Sequence, residues 1–171
     1  AWTKMRAGNT RERGRELLTA AADSPQRNRA AARSAVAQFE IANGLGVEAM
    51  GTLDVVTADE PNLARDRTVQ LLKAMALIQA NRMVDASSIL QSDSIKDDPE
   101  AVLWRAYADS SLLRWPQALN GFRRSATILD AYPEDLQSKI GVAYAEAAIE
   151  GRDFGLAQRL LESVEPLGWE N

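Results

Sequence analysis

Five of the six prolines fall at near-constant steps: Pro25, Pro61, Pro99, Pro133 and Pro166 are 36, 38, 34 and 33 residues apart. A breaker that returns with a period in the thirties is the trace left by a stack of helical hairpins, each needing two helices and a change of direction before the next. No other feature narrows the fold so far. Stacks of this kind hold other molecules on their surfaces, so the period speaks to the type of work and not to the partner.

Between prolines the chain divides into pairs of helical segments. Residues 27–43 are Ala-rich with Val36, Phe39 and Ile41, and they stop at Asn43-Gly44, a pair suited to the left-handed conformation that ends helices. A second segment, 47–57, runs toward Pro61. The following pairs are 63–80 with 83–91, 100–113 with 116–130, and 134–150 with 154–165. Asn81 stands where Gly44 stood, being the other residue that tolerates positive φ. Gly8 precedes Pro25 by 17 residues, as Gly44 precedes Pro61, so both intervals share one internal ruler. A leading segment, 10–23, is expected to start with Thr10 as its N-cap. The polar stretch 92–98 is the loosest joint.

The second segments share a finer pattern. Ala49, Leu53 and Val56, then Ala118, Phe122 and Ser125, then Ala157, Leu161 and Val164 are spaced four and three apart, which puts each set on one helical face. Ala86 and Leu90 begin the same pattern, which turns polar at Asp93. The early alanine matters because any larger side chain would hold the two helices of a hairpin apart.

With these residues in place the chain resembles the tetratricopeptide repeat (TPR) family, whose 34-residue unit is a helical hairpin closed by proline. In that family a glycine sits at the turn, an alanine opens the second helix and a bulky residue follows four later. Gly44-Ala49-Leu53-Pro61 matches without a gap, Asn81-Ala86-Leu90 matches with Asn for Gly, Leu113-Ala118-Phe122 lacks the glycine, and Gly151-Ala157-Leu161 carries one extra residue. The family's first-helix pattern is echoed by Trp104 with Tyr107 and by Ile140-Gly141 with Tyr144. The resemblance implies an all-α, right-handed solenoid of antiparallel hairpins (25–60, 61–98, 99–132 and 133–166) behind a half-unit, 1–24, forming a single repeat domain.

The resemblance also implies a concave face built from the first helices. Counted from the alanines, that face holds Ser34, Gln38 and Ile41, then Thr68, Leu71, Met75 and Ile78, then Leu103, Tyr107 and Ser110, with Gly141 and Ala145 following. It is apolar with small polar interruptions, and it lacks the Lys, Arg and Asn with which family members grip a peptide's terminal carboxylate. An apolar or amphipathic segment of a protein partner is the expected ligand, with Met75 as an adaptable contact. The alternative is a structural spacer or assembly segment, or a regulatory domain of a larger multidomain protein. Trp2 and Trp169, near the two ends, could then support self-association.

Composition closes several other routes. The chain has neither Cys nor His, which removes disulfides, thiolate nucleophiles, imidazole bases and nearly all zinc patterns. Asp97, Asp98 and Glu100 surround a proline junction and read as helix-start residues before they read as a metal site. Glu146 and Glu150, one turn apart, read as plain surface. Gly44-Leu45-Gly46 is turn, not a nucleotide fingerprint. A non-enzyme without cofactor or metal is therefore expected. Most of the aromatics, Trp104, Tyr107, Trp115, Phe122, Tyr132, Tyr144 and Phe154, read as core filling in the second half of the chain.

Net charge is −4, unevenly spread: residues 1–33 carry eight Lys/Arg against Glu12, Glu16 and Asp23, while the remainder is acidic. The 35-residue RNA-reading hairpin repeat needs a cationic groove for phosphate, so a chain of this net charge fits it poorly and no nucleic acid is expected. No stretch is apolar enough to span a bilayer, and there is no signal-type leader. The Ala start and the helix-like run 1–6 suggest an excised piece of a longer protein. Absence of cysteine suits cytoplasm and periplasm alike. Sixteen Arg against four Lys hints at a GC-rich bacterial source.

Overall fold

The computed structural model describes residues 9–164. Among them it consists of nine α-helices and two short 3₁₀ helices, with no strand. The chain divides at Ile95 and Lys96 into two compact units, and the division falls within the polar stretch 92–98.

The first unit holds α1 (Thr10–Asp23), α2 (Gln26–Ala42), α3 (Gly46–Asp59), α4 (Arg67–Gln79) and α5 (Met83–Leu90), with a 3₁₀ turn, Pro61–Arg65, ahead of α4. Within it each helix packs on its chain neighbour, and α2 also touches α4. The second unit holds α6 (Pro99–Ser111), α7 (Trp115–Ser125), a 3₁₀ turn Ala126–Ala131, α8 (Glu134–Glu150) and α9 (Phe154–Val164). There α6 pairs with α7 and α8 with α9, while α8 also contacts α7 and α6.

Four three-residue turns close the pairs α2–α3, α4–α5, α6–α7 and α8–α9, and they share one geometry. The middle residue has positive φ in every case: Gly44 at 78°, Asn81 at 58°, Leu113 at 58° and Arg152 at 59°. The next amide donates five residues back, Leu45 to Glu40, Arg82 to Leu77, Arg114 to Asp109 and Asp153 to Ala148, at 2.8–2.9 Å. The positive-φ residue itself donates three back, to Ile41, Ile78, Ser110 and Ile149. This is the Schellman closure, which satisfies carbonyls that a helix end leaves open. An alanine follows each positive-φ residue by five places, and its amide reaches back to Leu45, Arg82, Arg114 or Asp153 to start the second helix.

This corrects the register expected at the last pair. No residue is inserted there, because the left-handed position is Arg152 and not Gly151, whose amide closes the helix onto Ala147. Gly151 serves packing instead: a Cβ there would lie 2.5 Å from Leu119 Cδ2, on α7.

Helix starts follow from the capping side chains. Asp66 accepts from the amides of Thr68 and Val69 at 2.9 and 3.1 Å, so α4 begins at Arg67 and the expected helix from Leu63 is a 3₁₀ turn up to that point. Asp98 does the same for Glu100 and Ala101, with Pro99 at the first helical position, where its missing N–H costs nothing. Asn9, not Thr10, caps α1, its side chain accepting from Glu12. The helix expected over 116–130 ends at Ser125, whose hydroxyl turns back to the Gly121 carbonyl at 2.8 Å, and continues as 3₁₀.

The second-helix pattern marks the core. Ala49, Leu53, Val56, Ala86, Leu90 and Ala118 are fully buried, with Phe122 and Ser125 at 1%. Each such Leu or Phe contributes about 1.5–3 kcal/mol by leaving water. Leu161, the matching residue of α9, is 43% exposed. Charged pairs tie elements together within each unit. Lys73 meets Asp54 at 2.7 Å between α4 and α3, Arg33 pairs with Asp59, and Arg123 reaches Asp153 at 2.7 Å. As surface pairs in contact with water these add little to stability.

Candidate functional site

The expected inner-face residues divide by burial. Ile41, Leu71, Met75, Ile78, Leu103 and Ser110 are buried, so they pack the interior and are not an open surface. Gln38 and Tyr107 are half-buried and Thr68 is exposed. The structure brings Gln38 and Ile41 on α2 near Thr68, Leu71, Met75 and Ile78 on α4, because those two helices touch. Leu103, Tyr107 and Ser110 lie on α6, in the second unit. Burial of the apolar members has a plain cause: α4 is apolar nearly all round, with eight buried residues from Val69 to Ile78. Gly141 and Ala145 are buried too, and Ser34 is half-buried.

Tyr107 sits in the second unit's aromatic cluster. Its ring stands edge-on to Trp104 at 6.1 Å, and Lys139 of α8 lies 6.0 Å from its centroid, at the outer limit for a cation–π contact. Beneath it Trp104 donates from Nε1 to the Tyr132 hydroxyl at 3.0 Å, and Tyr132 donates to Glu100 Oε1 at 2.7 Å. Burial, then the Glu100 carboxylate, push the Tyr132 phenol far above its ordinary value. Tyr132 therefore stays a neutral donor that ties the segment after the 3₁₀ turn to α6. This network accounts for Glu100, one of three acids that could have suggested a metal. Asp98 is a helix cap, and among the described residues no group of three or more acidic side chains could hold an ion.

A feature that the spacing argument did not bring out is a groove in the first unit, walled by α1, α2 and α3. One part, about 310 Å³, is lined by Leu18, Ala21 and Ala22 of α1, Val36 of α2, and Thr52 and Val55 of α3. A second part, about 220 Å³, lies toward Asp59 and Glu60. Arg29 and Arg33 line both. Leu18 and Val55 are 57% and 45% exposed, so this apolar surface is open. The signal that could have found it is the i, i+4 pair Arg29 and Arg33 within the basic first third of the chain, which places two guanidinium groups on one face of α2.

No helix among the described residues is long and apolar enough to cross a membrane. Trp2 and Trp169 lie outside the described residues. Compared with family models, curated proteins and solved structures, the chain matches none.

Proposed function

We propose that the chain is a non-catalytic protein-interaction scaffold of TPR-like hairpins, stacked as a right-handed solenoid, that holds an apolar or amphipathic segment of a protein partner. One observation carries the reading: four helix pairs close through the same turn, with the same two backbone bonds and an alanine at the same offset. A module repeated in this way buries its apolar faces against its neighbours and leaves an extended surface for a ligand. On the inner face the side chains within a partner's reach are Gln38, Thr68 and Tyr107.

The test is affinity capture with the full-length protein, repeated with Gln38→Arg, Thr68→Arg and Tyr107→Ala combined. These positions are at most half-buried, so circular dichroism is expected to show an intact helical fold. The expected result is loss of a partner that the wild type retains. Retention of every partner by the folded triple variant would remove the inner face from the proposal.

A further inference from the structure

We infer that the α1–α3 groove is a second docking site, and that its occupant is an acidic amphipathic peptide segment of a partner protein. The argument starts from the two halves of the groove. Leu18, Ala21, Ala22, Val36 and Val55 give the larger half an apolar lining, with Thr52, Arg29 and Arg33 as its polar members. At about 310 Å³ it lies at the small end of ligand sites, roughly 300–1,000 Å³, which suits one or two large side chains. The two arginines also line the smaller half and so join the two.

The two arginines differ. Arg33 pairs with Asp59, whereas Arg29 forms no ion pair among the described residues. Like charges one turn apart on a helix repel, and an incoming carboxylate beside Arg29 relieves that repulsion. Asp59 and Glu60 line the smaller half and exclude a second anion from it. The acidic group must then approach from the α1 side. There Arg11 and Arg15 continue the stripe of Leu18 and Ala22, at i, i+4, i+7 and i+11, and both are exposed. A row of cations running into an apolar slot is complementary to a segment with acidic residues on one side and a large apolar residue on the other.

Nucleic acid also seeks cations, but its phosphate backbone has no use for the apolar half, and Asp59 and Glu60 repel it. The groove is also separate from the inner face. Gln38 follows Arg29 by nine residues, half a turn round α2, so the two readings stand or fall apart.

The test uses the whole chain and fluorescence anisotropy with a labelled amphipathic helical peptide whose one face alternates Leu and Glu. Two twins replace either every Glu by Gln or every Leu by Ser, and a single-stranded oligonucleotide serves as a fourth probe. The acidic peptide is expected to bind, to weaken as salt rises, and to exceed both twins by about tenfold or more. Arg29→Glu and, separately, Val55→Ser are expected to weaken it by a similar factor, while Arg124→Glu on α7 leaves it unchanged. Thermal unfolding of each variant confirms the fold. No binding of the acidic peptide, equal binding of either twin, indifference to both groove variants, or displacement by the oligonucleotide would each overturn the inference.

Discussion

The two units place the same hairpin on different residues. In the first, the left-handed turn positions are Gly44 and Asn81, the residue types that accept positive φ most readily. In the second they are Leu113 and Arg152, which do not. Yet the bonds that close the four turns have nearly equal lengths. Turn preference therefore cannot be what holds the geometry in the second unit. What is common to all four is the alanine five residues on, buried in every case. Packing of that methyl, with the large residue four further along, dictates where the chain must reverse. The turn residue then accommodates the conformation or is strained by it.

The heaviest blow to this comparison falls on the large residue. Leu53→Ala and Leu90→Ala remove fully buried side chains and are expected to destabilise by about 2–5 kcal/mol each. Leu161→Ala, at the same place in α9, removes a side chain that is 43% exposed and should lose about 1 kcal/mol or less. Chemical denaturation of the three variants measures the contrast. Equal losses would mean that Leu161 is as enclosed as its counterparts. Ala118→Arg tests the methyl itself, and overpacking there should cost about 1–3 kcal/mol or more.

Next in size is a buried tie in the second unit. After its 3₁₀ turn, Tyr132 is buried and bonded to both Trp104 and Glu100, whereas Asp66, which follows the first unit's 3₁₀ turn, is exposed and caps α4. Tyr132→Phe leaves the Trp104 N–H without that acceptor and should cost about 1–3 kcal/mol. A loss no greater than that of an exposed substitution would show that water replaces the hydroxyl.

A smaller effect, of opposite sign, separates the turns. Leu113 is 69% exposed, so it contributes little by burial while held at positive φ. Leu113→Gly should stabilise by about 0.5–1 kcal/mol, the relief of left-handed strain exceeding the added freedom of the unfolded chain. Arg152→Gly should act likewise, and Gly44→Ala should lose about 1 kcal/mol. A neutral Leu113→Gly would mean that the strain relieved only matches the freedom the unfolded chain gains, and a loss would mean that the turn carries little strain.

The hairpin pattern was legible before any coordinates because its parts are local. The proline period, the early alanine and the spacing of four and three each express a requirement within one helix or across one turn. The last turn was misread for the same reason. Gly151 looked like the turn residue by type, but its lack of a side chain serves Leu119, a partner far off in sequence. Of the expected inner-face residues, Gln38, Thr68 and Tyr107 keep accessible surface, while Ile41, Leu71, Met75, Ile78, Leu103 and Ser110 are buried. That burial was not legible, because α4 is apolar nearly all round and burial depends on neighbours that a one-helix count cannot see. The groove of Leu18, Arg29 and Val55 draws on three helices, so the spacing of Arg29 and Arg33 marks its α2 wall but no spacing rule brings in the other two.

The finest test concerns two acids in matching places. Glu40 and Asp109 are the residues whose carbonyls accept the bond that closes the first turn of each unit, where the second turns have Leu77 and Ala148. Burial, before any other influence, raises both carboxyls above their ordinary values. A bond from Thr52 at 2.8 Å partly offsets this for Glu40, with Glu48 adding to the rise, and Arg114 partly offsets it for Asp109. A carboxyl with a raised folded value favours the fold most when protonated. Its contribution is full below about pH 4, near the unfolded values, and is lost as pH climbs through the folded value. Glu40→Gln and Asp109→Asn keep an acceptor for Thr52 and Arg114 but cannot ionise. Each variant should therefore match the parent near pH 3 and gain on it toward pH 7. Urea titrations at several pH values read the slope directly. If either variant's advantage stays flat with pH, burial of that acid is not what separates it from the apolar residue of the following turn, and the likeness of the two units ends at the backbone.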